Sequence, residues 1–264
     1  MIICADDFGL SEDVDQAILE LCAVKRLSAV SCMAALRSCS AGSLKQLLRH
    51  QNDIDIGLHL CLADPALRIV VRDREKESEE QLPAFSVYLR RALAGRVSAT
   101  ESASQIAAQY EMFVAKCGRR PDYIDGHLHT HQLAGARQGL LQFVRGLPND
   151  SRPYLRNTCQ PLASLRKHRL PWLKAASIGF FGRQMLRESR AAGVATNEGF
   201  AGIYDFRHWP RYPDYFPNFA ACLGHRNGIL VVHPGKLEDW RRQEFTTLRE
   251  SAVVSNRFQR ADPV

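Results

Sequence analysis

A chain of 264 residues with 45% hydrophobic and 24% charged residues can bury a full core and fits one large α/β domain or two small ones. Its net charge of +7 comes mainly from dispersed arginines, and no aromatic-interleaved basic motif or zinc-finger spacing argues for nucleic acid. The eight cysteines are scattered without a C-x-x-C pair, Met1–Ala5 is too short for a signal peptide, and no apolar run reaches membrane-spanning length. A cytoplasmic protein with reduced thiols is therefore expected.

In chain order, Met1–Ala5 reads as a buried strand ending at Asp6-Asp7. Ser11 then caps a helix with the apolar stripe Val14, Ile18 and Leu21. A second strand falls within residues 27–35, a helix at 41–50, and an alternating third strand at 54–60 that carries His59 near its end. The highly charged stretch 68–81 reads as a surface loop. Helices follow from Pro83 to about Ala94 and over 100–116.

The stretch Asp125-Gly126-His127-Leu128-His129-Thr130-His131 is the densest chemistry in the sequence. Read as extended backbone, its period of two would put Asp125, His127, His129 and His131 on one face at the C-terminal end of a strand. A helix is expected at 135–147, a strand at 152–157, and a long helix at 171–192 interrupted by Gly179 and Gly182. Residues 197–217 read as a Gly-, Tyr- and Pro-rich loop lining a pocket. A helix over 214–225, a buried strand at 228–233 ending in His233, and a last helix at about 243–254 with a frayed tail complete the chain.

Strand and helix alternate throughout, with polar residues at strand C-termini. That order implies parallel strands joined by right-handed crossovers, as an open doubly wound sheet or a barrel. No linker or internal repeat divides the chain, so residues 1–264 are read as one domain. A lone histidine at a strand end is more often a satisfied core residue than a ligand. Here Asp6-Asp7, His59, His127 with its neighbours, and His233 share one predicted position, and in a parallel barrel such ends converge on one mouth. One carboxylate and two imidazoles suit a catalytic divalent ion, with a second carboxylate and a further histidine left for proton transfer.

Ala5-Asp6-Asp7-Phe8-Gly9-Leu10-Ser11, Gly57-Leu58-His59-Leu60, Asp125–His131 and His233-Pro234-Gly235 resemble the motifs of the YdjC/ChbG-like (ChbG/HpnK) carbohydrate deacetylases, in the same order up to about residue 235. Tyr154-Leu155-Arg156 resembles a segment that brings an arginine to the site. The resemblance implies a distorted (β/α) barrel and hydrolysis of the N-acetyl group of an amino sugar, on an oligosaccharide or a lipid-linked saccharide. It implies one divalent ion, Mg²⁺ by family and Zn²⁺ by ligand chemistry, on Asp7, His59 and His127. Asp6 corresponds to the base and His233 to the acid, while Arg156, His129, His131 and Asp125 are expected at the substrate. Two rival readings are a metal-dependent phosphoesterase on a similar barrel and a non-catalytic sugar-binding protein. Homo-oligomers are left open, and the basic and aromatic residues of 166–190 make membrane association a minor reading.

Overall fold

The computed structural model describes residues 1–73, 76–160, 165–166, 172–223, 227–253 and 257. Residues 167–171 within the basic stretch 166–190, the helix end expected at His225, and the tail from residue 254 other than Arg257 lie outside the described residues. In chain order the elements are β1 (Ile2–Phe8), α1 (Glu12–Ala23), β2 (Ala29–Cys32), α2 (Ala41–Leu47), β3 (Asp55–Leu60), β4 (Arg68–Asp73) and β5 (Lys76–Gln81). Then come α3 (Phe85–Leu93), α4 (Ala99–Cys117), β6 (Tyr123–Gly126), α5 (Ala136–Gly146), β7 (Tyr154–Leu155) and α6 (Trp172–Ala191). The chain continues through β8 (Gly199–Ala201), α7 (Tyr212–Cys222), β9 (Gly228–Val232) and α8 (Asp239–Glu250).

Seven strands form one parallel sheet in the order β7-β6-β3-β2-β1-β9-β8. β1, β2, β3 and β9 are buried at every position, as expected of parallel strands covered on both faces. The sheet curls until its edges meet. Leu155 in β7 bridges Thr196 ahead of β8, and Asn157 and Asn197 exchange amide bonds, the Asn157 N–H donating at 2.7 Å and the Asn197 Nδ2 donating back at 2.9 Å. The result is a distorted barrel of the expected class. The first helix begins where expected, with Ser11 Oγ accepting the Val14 N–H at 3.4 Å.

The stretch 197–217, read as a loop, contains the edge strand β8 paired with β9 and the start of α7, and three further expectations change. Within the charged stretch 68–81, which reads as a loop, β4 and β5 pair as antiparallel strands. They are held to the body by Ile69, buried with Met33, Leu36, Leu67 and Leu82, by the Val70 N–H donating to Ala35 O at 2.8 Å and by Arg37 Nε donating to Glu79 Oε1 at 2.6 Å. Secondly, α6 runs unbroken through Gly179 and Gly182. Thirdly, the last helix starts at Asp239, about a turn earlier than the apolar pattern implied, which brings its first turn to the strand ends. Among the described residues no helix is long and apolar enough to cross a membrane.

Candidate active site

β1 supplies Asp6 and Asp7. A regular strand sends neighbouring side chains to opposite faces. Here the pairing of β1 with β2 slips between Ala5 and Phe8, and Asp7 sits at φ +70°, in the left-handed region. Both carboxyls thereby line one pocket, each 2% exposed.

β3 supplies His59, which stands opposite Asp125 of β6 in the sheet register. Gly57 allows the strands to fit, because a Cβ there would lie 2.4 Å from the Tyr123 ring. The His59 Nδ1 donates to Asp125 Oδ1 at 2.7 Å, and Ser31 Oγ donates to the same oxygen at 2.5 Å. That leaves Nε2 to face Asp7 Oδ1 at 3.5 Å and Asp6 Oδ2 at 4.0 Å.

The histidine stretch is not the extended strand that its alternation suggests. β6 stops at Gly126, and His127–Gln132 is a 3-10 turn with Leu128 and His129 at φ +53° and +56°. Leaving the sheet separates the three histidines. His127 faces the aspartates, with Nδ1 3.2 Å from Asp7 Oδ1. His129 lies edge-on to Phe200 and lines the pocket. His131 tucks underneath, donating from Nε2 to Arg156 O at 2.9 Å. Gly126 permits this fold-back, since a Cβ there would come within 3.1 Å of the His131 ring.

Arg156 follows β7 and is fully buried. Its guanidinium clamps Asp6 with two bonds of 2.7 Å, pairs with Asp125 at 2.5 Å and reaches Cys4 Sγ at 2.8 Å. Arg156, Asp125 and His131 were expected to touch substrate. All three have no exposure and lie beneath the pocket rather than along it, so they act on the site through Asp6, His59 and the turn. His233, at the end of β9, lines the pocket between Phe206 and Trp240.

The pocket holds about 460 Å³. Asp6, Asp7, His59, His127 and His233 line it, together with apolar walls from α3 (Phe85, Leu89), the histidine turn (Leu128, Leu133) and α6 (Ile178, Phe181). Phe206 and Trp240 stack at 4.1 Å and form a flat aromatic patch beside His233.

The model of the YdjC-like protein family matches residues 1–257. This chain belongs to that family. It is 29% identical over 147 residues to the chitooligosaccharide deacetylase of Klebsiella pneumoniae, a match covering 55% of each chain. It is 28% identical over 237 residues to the carbohydrate deacetylase of Mus musculus, covering 88% of this chain and 69% of the mouse protein. The match spans about half the length of the Klebsiella protein and of a Yersinia enterocolitica chitooligosaccharide deacetylase. A solved structure from Enterococcus faecalis V583, whose suggested role is cellobiose-phosphate cleavage, superposes with a TM-score of 0.65 at 19% identity over 94% of this chain and 89% of its own. That likeness concerns the fold.

In this YdjC-like chain, Asp7, His59 and His127 present ligand atoms all within 4.8 Å of one another. The surrounding charge fits a cation. Burial alone would push the Asp7 carboxyl up, but the neighbouring His127 and His59 imidazoles and the charge of Arg241 hold it well below the usual range. Burial disfavours a charged His59, yet Asp125 and Asp6 outweigh it and raise the imidazole to about 10. A site that draws a proton this strongly has surplus negative charge, which a divalent ion on Nε2 would satisfy instead. His233 differs: burial pushes it down to about 4.

Three side chains at the pocket escaped the sequence reading. Arg241 Nη2 donates to Asp7 Oδ2 at 2.8 Å while its guanidinium lies over the Trp240 ring. Glu244, one turn on, is fully buried and accepts the Tyr204 hydroxyl at 2.7 Å and the His233 N–H at 2.5 Å. Burial raises Glu244 to about 7. Asp64 meets His127 Nε2 at 3.2 Å. In the sequence Arg241 and Glu244 look like ordinary members of a charged helix; only their three-residue spacing, which places them on one face, hints at a shared role.

Proposed function

We propose that this chain is a metal-dependent carbohydrate N-deacetylase, hydrolysing the N-acetyl group of an amino sugar to acetate and a free amine. The observation that carries the reading is the open Asp7–His59–His127 group flanked in one pocket by a carboxylate, Asp6, and an imidazole, His233. The deacetylase names of its relatives support the same chemistry. Asp7, His59 Nε2 and His127 would hold the ion, and Arg241 fixes the second oxygen of Asp7. When bound, the ion polarises the amide carbonyl and acidifies a water molecule. Two imidazoles in the set favour zinc over magnesium.

Asp6 takes the proton of the attacking water, and Arg156 fixes the orientation of that carboxylate for the task. His233, neutral at rest because burial holds it at about 4, relays to the departing nitrogen the proton that Asp6 took from the water, so Asp6 and His233 both end as they began. Glu244 holds the His233 backbone in place. The apolar walls exclude water from the amide. They also suit a saccharide with an apolar, lipid-like substituent better than a long hydroxylated chain, whose hydroxyls would lose partners against Leu89, Leu128 and Ile178. The Phe206–Trp240 patch suits the face of a sugar ring. The neighbouring group of Cys4, Asp6 and Asp125 already holds the Arg156 guanidinium, so this reading takes one ion per chain rather than the pair of a phosphoesterase.

The test is acetate release from N-acetylated mono-, oligo- and lipid-linked saccharides, with elemental analysis of the same protein. About one divalent ion per chain, acetyl-sized mass losses and intact glycosidic bonds are expected. Shortened sugar chains or phosphate release without acetate would overturn the proposal.

A further inference from the structure

We propose that Asp64 is a positioning residue for His127, selecting which ring nitrogen the histidine turns toward the cation site. The inference rests on the Asp7–His59–His127 site proposed above. His127 is contacted on both nitrogens: Nδ1 lies 3.2 Å from Asp7 Oδ1, and Nε2 lies 3.2 Å from Asp64 Oδ2. A neutral imidazole has one N–H and one lone pair. A carboxylate that serves an ion cannot also be the best acceptor for an imidazole proton. Asp7 is the carboxylate shared with the ion, so the proton goes to Nε2, where Asp64 accepts it, and the Nδ1 lone pair is left facing the site.

His59 has the mirror arrangement, with Nδ1–H on Asp125 and Nε2 directed at Asp7. Each ligand histidine therefore has its own carboxylate behind it, as metal-binding imidazoles generally do. Asp64 is not part of the group whose ligand atoms lie within 4.8 Å of one another, which puts it behind His127 rather than on the ion.

The backbone supports the role independently. Asp64 sits at φ +119°, a conformation that only glycine adopts freely. The loop holds it there from both sides, with the Asp64 N–H donating to Pro83 O at 2.9 Å and the Leu67 N–H donating to Asp64 O at 3.0 Å. Oδ1 accepts the Ala66 N–H at 2.9 Å, so the side chain cannot swing and Oδ2 is delivered to His127. Turn-making alone would favour glycine at this position. An aspartate there retains a strained backbone in order to present a carboxylate.

That contrast supplies the test. Asp64→Gly relieves the backbone and removes the carboxylate, while Asp64→Asn keeps an acceptor for Ala66 and removes only the charge. Zinc titration of the metal-free proteins by calorimetry, with thermal melting of the same samples, reads both effects. Asp64→Gly is expected to melt at or above the wild-type temperature without metal and to bind zinc about 10–100-fold more weakly, the usual cost of losing such a partner. Asp64→Asn is expected to show a smaller loss, and it carries the test should the glycine variant fail to fold. Zinc affinity within about twofold of wild type in either folded variant overturns the role. A loss beyond about 1,000-fold overturns it in favour of direct ligation. A wild-type chain that takes up no divalent ion overturns the cation site and the Asp64 role together, whereas tight wild-type binding with no Asp64 effect overturns the latter alone.

Discussion

Two groups of acidic and soft side chains lie side by side at the strand ends: Asp7, His59 and His127, and Cys4, Asp6 and Asp125. Each gathers its donor atoms within 4.8 Å, and by donor count either could hold an ion. They differ in what already fills them. Arg156 places its guanidinium among Cys4, Asp6 and Asp125, so the chain supplies that cation itself, permanently and away from solvent. The other group opens to the pocket and, among the described residues, has only Arg241 against one edge, at Asp7 Oδ2. Clustered carboxylates alone do not make a metal centre; a cluster must also lack an internal counter-ion and have access to the outside.

Asp6 and Asp7 are neighbours in sequence but belong to different groups, and this gives the largest expected effects. Asp7→Asn should lose metal and activity together. Asp6→Asn should keep near-normal metal while turnover falls by about two to four orders of magnitude, the usual range for a general base. Elemental analysis with acetate release on both variants separates them, and loss of metal in Asp6→Asn with retention in Asp7→Asn would reverse the roles.

Next is the internal cation. Arg156→Met leaves Asp6 and Asp125 buried without their partner, a change expected to cost about 3–5 kcal/mol in urea unfolding. Adding Asp6→Asn and Asp125→Asn to the same chain should recover much of that loss, because the uncompensated charges go with them. A cost below about 1 kcal/mol for Arg156→Met, the scale of an exposed pair, would mean the cluster is not held by its arginine.

Much of this was readable in advance, and the failures have physical causes. Asp6, Asp7, His59, His127 and His233 each stand at or just beyond the end of a strand whose apolar or alternating pattern could be recognised, and parallel topology brings such ends together. The histidine stretch misled because alternation at His127, His129 and His131 mimics a strand, while left-handed residues at Leu128 and His129 have no mark in an Asp-Gly-His-Leu-His-Thr-His string. Arg156 looked like a substrate ligand because burial of an arginine cannot be seen without the carboxylates it will meet. Glu244 and Arg241 were hidden in α8, whose polar composition made it look like a solvated helix and shifted its predicted start.

His131 tests the closed side by pH. Burial pushes its imidazole down to about 4, while an unfolded histidine titrates near 6.5. The unfolded chain then binds the proton first, so His131 contributes stability that is complete above about pH 6.5 and is lost as the pH falls toward about 4. In His131→Gln that contribution disappears. Wild-type stability should therefore fall more than the variant's between pH 6.5 and 4, by about 2–3 kcal/mol at one pKa unit per 1.36 kcal/mol. Parallel pH dependences would place His131 outside the closed, dry region.

The smallest effect sharpens the comparison most directly, because Cys4 is the member of the closed group with the strongest claim as a soft metal ligand. A cysteine binds metal as the thiolate. Burial drives the Cys4 thiol well above its usual range, and the nearby Asp6 and Asp125 carboxylates oppose the relief offered by Arg156. Its sulfur is also engaged, 3.0 Å from the Tyr123 hydroxyl and 2.8 Å from Arg156 Nη2. Cys4→Ala should accordingly leave metal content unchanged and lower stability by about 1 kcal/mol, the scale of one lost internal hydrogen bond. Cys4→Ser, which restores a hydroxyl to face Tyr123, should lie closer to wild type than Cys4→Ala if the hydrogen bond, rather than the sulfur's volume, is what counts. In the folded wild type the thiol should resist alkylation. Loss of the ion in Cys4→Ala would instead make the two groups one continuous site, and the division drawn between them by Arg156 would fail.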